Sequence, residues 1–192
     1  MWKPIETTLD LPAEYTFESN TLDFKGAPTD SSLEMGKDVA AFANARGGTV
    51  LVGAYGGDRL EHYNPMTAET AKSIAAAFDR AVADRCAPAP LFSVQLIARD
   101  EGFVVAVNVQ PFPGQVVGVR VLSKDNMERD SGYFFPVRVG THTKEITPEQ
   151  LPMFIDAKVR RVSILLKAAI GKDAVLFDSF DLNSHSGALA HL

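Results

Sequence analysis

The sequence predicts an α+β domain: a mixed, largely antiparallel sheet with helices packed on it. Three observations carry that prediction. Apolar residues recur at helical spacing in two stretches, Met35–Val39–Phe42 and Ala71–Ile74–Phe78. Strand-like runs lie before, between and after them, as "TLDFK", "TVLVGAY" and "GFVVAVNVQPF". Several strands then follow one another after the second helix, and a third helical stretch closes the pattern.

Taken in order, "TLDFK" (Thr21–Lys25) alternates Leu22 and Phe24 with polar Thr21, Asp23 and Lys25, the period of a half-buried strand with Asp23 and Lys25 on its polar face. Ser31 or Ser32 can cap the first helix, whose Gly36, Ala40 and Ala43 permit close packing on a sheet. Gly47 suits a left-handed C-terminal cap, and Gly48 lets the chain reverse into "TVLVGAY", read as one strand buried on both faces and ended by Gly56 and Gly57. The second helix starts at Thr67 and must stop before "APAP" (Ala87–Pro90). "LFSVQLIA" and "GFVVAVNVQPF" form an antiparallel hairpin across "RDEG", and "VVGVRVL" is a further strand. Ser123–Gly132 is a polar, mobile loop, and Pro136 places an edge or bulge in "YFFPVRVG". Thr147, Pro148 and Gln150 give a cap, a first-turn proline and a capping-box partner; Pro152 also admits a later start for a helix reaching about Ile170. The domain therefore spans 17–170, after an N-terminal extension over 1–16, and 171–192 reads as a docking segment or tail.

Composition bounds the function. The 192 residues carry a net charge of −5, so any nucleic-acid contact must come from a local basic face. The single cysteine, Cys86, excludes an internal disulfide framework and a cysteine-rich zinc site, which favours a reducing, cytoplasmic setting. No membrane segment or secretion signal is expected, because no apolar run reaches ~18 residues. The glycines of "ARGG" close a helix and precede a strand, the reverse of a phosphate-binding Walker loop, so no nucleotide cofactor is expected there. Asn44 braces that turn or faces a ligand. The histidines lack metal spacing, and no serine sits in a nucleophile elbow.

Four segments, "FESNTLDFK", "DVAAFANARGGTVLVGA", "FVVAVNV" and "FPVRVGTHTKEITPEQL", occur in an order that resembles the Schlafen/AlbA-like DNA-binding domain family. The resemblance implies a small α/β module found in bacterial transcription regulators and duplicated in Schlafen nucleases, where three carboxylates gather at a metal-assisted RNA-cleaving site. Carried over, the family's opening Glu falls on Glu18 and the acid of its Glu-Phe-Lys on Asp23. Near the third position stands Tyr55, with Asp58 a few residues later. If Glu18, Asp23 and Asp58 converge, they would form a catalytic Mg or Mn site for an endoribonuclease or other nuclease, since hard cations take oxygen ligands and activate water. Alternatively they are surface acids, with Asp23 paired to Lys25 or Arg138. Because the nucleases set two modules face to face, the resemblance also implies a homodimer.

Candidate nucleic-acid-binding residues are Lys25, Arg46, Arg138, Thr141, Thr143, Lys144, Lys158 and Arg161, since basic and hydroxyl side chains take phosphates without base preference. On the last helix Lys158 and Arg161 share one side, Arg160 and Lys167 another. The competing function is a non-catalytic assembly subunit that uses protein partners, with the C-terminal segment as its contact.

Overall fold

The structure is a computed structural model that describes residues 2–27, 31–122 and 132–170, with side chains in the last helix described to Ile164. In chain order the elements are β1 (Leu22–Lys25), α1 (Ser32–Asn44), β2 (Gly48–Val52), β3 (Ala54–Gly56), β4 (Leu60–Tyr63), α2 (Ala68–Arg85), β5 (Cys86–Ala87), β6 (Phe92–Arg99), β7 (Gly102–Val109), β8 (Gly118–Val121), β9 (Gly132–Phe134), β10 (Pro136–Val139), β11 (His142–Glu145) and α3 (Leu151–Ile170).

The central sheet has the order β1-β2-β7-β6, with β1 parallel to β2 and the other pairs antiparallel. Alternation splits its apolar residues between two faces. Val50, Val52, Val105, Val107 and Val109 join the core under α1 and α2, while Leu51, Val104 and Ala106 pack with Ile5, Phe24 and Leu60 on the other side. The N-terminal residues cover that second face: Trp2 Nε1 donates to Thr49, and Asn108 exchanges two hydrogen bonds with the backbone of Ile5. Strands β5, β8 and β9 form a second sheet, and β10–β11 and β3–β4 are two-stranded ribbons. The fold is α+β with mixed, largely antiparallel sheets, as the pattern predicts.

Both core helices begin where their caps predict. Ser31 Oγ accepts from the Glu34 N–H, and Thr67 Oγ1 accepts from the Thr70 N–H. Gly47 takes the left-handed conformation (φ 76°), its N–H reaching the Phe42 carbonyl, and any Cβ at Gly48 would overlap the Phe42 ring. The double glycine therefore closes α1 tightly onto β2, and Asn44 secures the same corner. Its amide donates to the carbonyls of Val117 and Pro136 and accepts from the Val117 N–H.

Three readings change. "TVLVGAY" is not one strand: Gly53 (φ 87°) turns the chain out of β2, and Ala54–Gly56 pairs instead with β4, a strand the sequence pattern did not single out. "YFFPVRVG" likewise divides at Phe135, between β9 in the second sheet and β10 against β11. Asp23 does not lie on a solvated strand face, because the Arg138 guanidinium from β10 and the Lys25 ammonium close over it and it is 3% exposed. At α3 the later start holds: the Thr147 N–H donates to Gln150 Oε1 in a turn that precedes the helix. The polar stretch from Ser123 to Asn126 and on to Ser131, and the 171–192 segment, lie outside the described residues.

Candidate nucleic-acid interface

Two neighbouring arrangements contain most of the sequence-derived site residues. The first is a buried charge network under α1. Strand β1 points Asp23 and Lys25 toward the helix, where Asp38 stands one residue before the core residue Val39. Lys25 Nζ lies 2.9 Å from Asp23 Oδ2 and 3.5 Å from Asp38 Oδ2. Arg138, carried in by β10, sets its guanidinium 2.8 Å from Asp23 Oδ1, 3.3 Å from Glu18 Oε2 and 5.3 Å from the centre of the Phe42 ring. The other Glu18 oxygen accepts the Phe24 N–H at 2.9 Å, which satisfies a backbone donor on the edge strand β1. Both alternatives for Asp23 are thus realised at once, as it pairs with Lys25 and with Arg138.

Three carboxylates face two cations, so one negative charge is left uncompensated. Burial pushes Asp38 up to about 6 against the opposing pull of Lys25, and burial together with Asp23 raises Glu18. Burial also works against the Lys25 ammonium, but Asp38 and Asp23 outweigh it and hold its pKa above the ordinary lysine value. Asp38 is the member that sequence reading missed. Its signal was a carboxylate four residues before Phe42, in phase with the helix's buried face.

These carboxylates do not fit the Mg or Mn site that the resemblance implies. A divalent cation needs oxygens free to turn toward it, whereas those of Glu18 and Asp23 are engaged by Arg138, Lys25 and the Phe24 N–H. Asp58 is exposed and meets Glu18 only through its backbone carbonyl, which accepts the Glu18 N–H. Among the described residues no three His, Cys, Asp or Glu side chains are grouped so as to hold a metal ion. Of the expected trio, Glu18 and Asp23 belong to an ion-pair network and Asp58 stands apart.

The second arrangement is a cavity of about 530 Å³ between the C-terminal end of α1, the turn at Pro111–Pro113, β10 and the first turns of α3. Arg46, Lys158 and Arg161 line it, together with Phe112 and Phe154, and no carboxylate does. Arg138 also borders it, but its guanidinium is already matched by Glu18 and Asp23. Lys158 has no carboxylate partner among the described residues; its Nζ sits 3.4 Å from Asn44 Oδ1 and 5.8 Å from the Phe154 ring centre. Burial, with Arg161 nearby, lowers it to about 8. Arg160 points elsewhere and pairs with Asp156 at 2.8 Å, in keeping with the two helix sides read from the sequence.

The remaining candidates do not converge here. Lys25 is taken up by Asp23 and Asp38, Thr143 stands across the ribbon from Arg138, and Lys144 is exposed opposite Val137. Thr141 lies in the β10–β11 turn, beside Gly140, and does not line the cavity. Phe112, Phe154 and Asn20 were not singled out from the sequence, because aromatic residues in a proline turn or on an apolar stripe read as core.

Among the described residues no helix is long and apolar enough to cross a membrane. No curated protein matches the chain. Among solved structures, the DIP2311 protein from Corynebacterium diphtheriae matches with a TM-score of 0.43 and 15% identity, over 72% of this chain and 24% of that one, so the chain spans about a quarter of that protein's length. A profile of the family described as Schlafen, AlbA_2 matches residues 18–147, from the Glu18 of the charge network to the cap before α3. The chain therefore belongs to the Schlafen AlbA_2 family, a nucleic-acid-related family.

Proposed function

We propose that the chain binds nucleic acid, taking phosphates on the face presented by Arg46, Lys158 and Arg161. The observation that carries this reading is the local segregation of charge. In a chain of net charge −5, three basic side chains without carboxylate partners among the described residues share one apolar-walled cavity. Lysine and arginine at such a place supply affinity that is independent of base sequence, and Phe112 and Phe154 offer apolar and aromatic surface beside them. Metal-dependent cleavage has no support in the carboxylate geometry. Binding of labelled single-stranded RNA and DNA, followed by fluorescence anisotropy, tests the reading. Arg46→Ala, Lys158→Ala and Arg161→Ala should each weaken binding by about 10- to 150-fold, since a hydrogen bond to a charged group contributes ~1.5–3 kcal/mol. Equal affinity of a triple alanine variant and the parent would remove this face from the function.

A second reading rests on α3. Ile155 and Val159 recur at helical spacing on α3, are exposed and do not line the cavity. This stripe supports self-association of two copies through α3. Light scattering should then give a dimer mass for the parent and a monomer mass for Val159→Glu; a monomeric parent at high concentration ends this reading.

A further inference from the structure

We propose that the cavity seats a single nucleoside monophosphate unit, its base against the aromatic walls and its phosphate on Lys158, Arg161 and Arg46. This rests on the nucleic-acid reading and goes beyond it, because a backbone-tracking surface requires no enclosed site, whereas this one is concave and of ligand size. Cavities of about 300–1,000 Å³ enclose small organic ligands, and this one measures about 530 Å³.

The walls match the two halves of such a ligand. Phe112 and Phe154, with Val137 and Pro111, supply the apolar and aromatic surface against which a base packs. Asn20 at the rim is exposed, and its amide can both donate to and accept from a base edge. The cationic side is incomplete as it stands. Lys158 is partly buried and, among the described residues, its Nζ meets only the Asn44 amide oxygen, which also accepts the Val117 N–H. Arg161 and Arg46 add positive charge beside it, and no lining side chain is acidic. A phosphate would supply the missing counter-charge. The lowered proton affinity of Lys158 agrees with this, since burial and Arg161 destabilise its ammonium and a bound anion would restore it.

Two sources share this chemistry, a free nucleotide and the phosphorylated end of an oligonucleotide. Isothermal titration of the full chain at pH 8 with uridine 5′-monophosphate, in two buffers of different ionisation heat, tests the common claim. The result expected is saturable binding with uptake of a fraction of a proton per nucleotide, because a lysine whose proton affinity is lowered by burial becomes fully protonated beside phosphate. Lys158→Ala should weaken binding at least tenfold. Lys158→Arg should retain binding but lose the proton uptake, since arginine is charged throughout. That pair of outcomes would not arise if Lys158 served only to hold α3 in place. Competition with 5′-phosphorylated and 5′-hydroxyl uridine hexamers identifies the source: a phosphate-dependent preference for the hexamer of more than tenfold assigns the terminus, and equal or better binding of the mononucleotide assigns the free ligand. Hexamer binding that the mononucleotide neither displaces nor matches overturns the cavity proposal while the nucleic-acid reading stands. No binding of either probe overturns both.

Discussion

Replacing Arg138 by methionine separates a structural arginine from a phosphate ligand. The substitution keeps an apolar stem near Phe42 and removes the guanidinium that lies 2.8 Å from Asp23 and 3.3 Å from Glu18. At an effective dielectric of about 20, Coulomb's law gives roughly 5–6 kcal/mol for each contact. Desolvation of the ions offsets much of that, and breaking a buried pair costs ~3–5 kcal/mol because the partner charge stays buried. Two carboxylates are left behind here, with Lys25 as their nearest cation. A loss of about 4 kcal/mol is expected, which for a chain of this size is roughly 8–16 °C in Tm. Urea and thermal unfolding followed by circular dichroism measure it. The triple variant Glu18→Gln, Asp23→Asn, Arg138→Met should recover part of the loss, since no charge is then stranded except that of Lys25 and Asp38, which face each other. An unchanged Tm for Arg138→Met, accompanied by lost oligonucleotide binding, would refute the argument and make Arg138 a phosphate contact.

Further expectations follow from the same interior. The carboxyl of Asp38 is raised from 3.8 to about 6, so the folded state holds its proton more tightly than the unfolded state does; its contribution is therefore favourable below about pH 4 and declines as pH rises to about 6. Unfolding free energies at pH 4, 5, 6 and 7 should show that decline weakened in Asp38→Asn, with Glu18, raised in the same direction, supplying a residual slope; identical slopes would contradict it. Gly48→Ala should destabilise by ~1–3 kcal/mol, because the added methyl meets the buried Phe42 ring, and a neutral effect by urea denaturation would show that the ring can yield.

Much of the fold could be read from local patterns because local physics sets it. The 3.6-residue spacing in α1 and α2, their Ser31 and Thr67 caps, and the left-handed Gly47 are all decided within a few residues of chain. Strand breaks were less legible. Gly53 and the Phe135–Pro136 step lie inside apolar β-branched runs, and only pairing with β4 and β11 shows that the chain has left one sheet for another. Alternation in β1 also misled: a polar strand face need not meet water when an arginine from 115 positions later comes to cover Asp23. For the candidate site, residue type led to Arg46, Arg138, Lys158 and Arg161, but it could not separate a buried arginine matched by two acids from basic side chains left open to a ligand. That distinction depends on which carboxylates the tertiary fold brings near, as does the role of Asp38.

The salt dependence of binding tests the central claim most directly. For single strands the slope of log K against log salt is about −0.7 per neutralised phosphate. If Arg46, Lys158 and Arg161 share one phosphate, these contacts should give the parent a slope of about −0.7, and about −2 if each takes a separate phosphate of the strand; the triple alanine variant should lose that share while unfolding at the same temperature. A salt-independent affinity, or a slope that the triple variant leaves unchanged, would contradict a nucleic-acid role for this face.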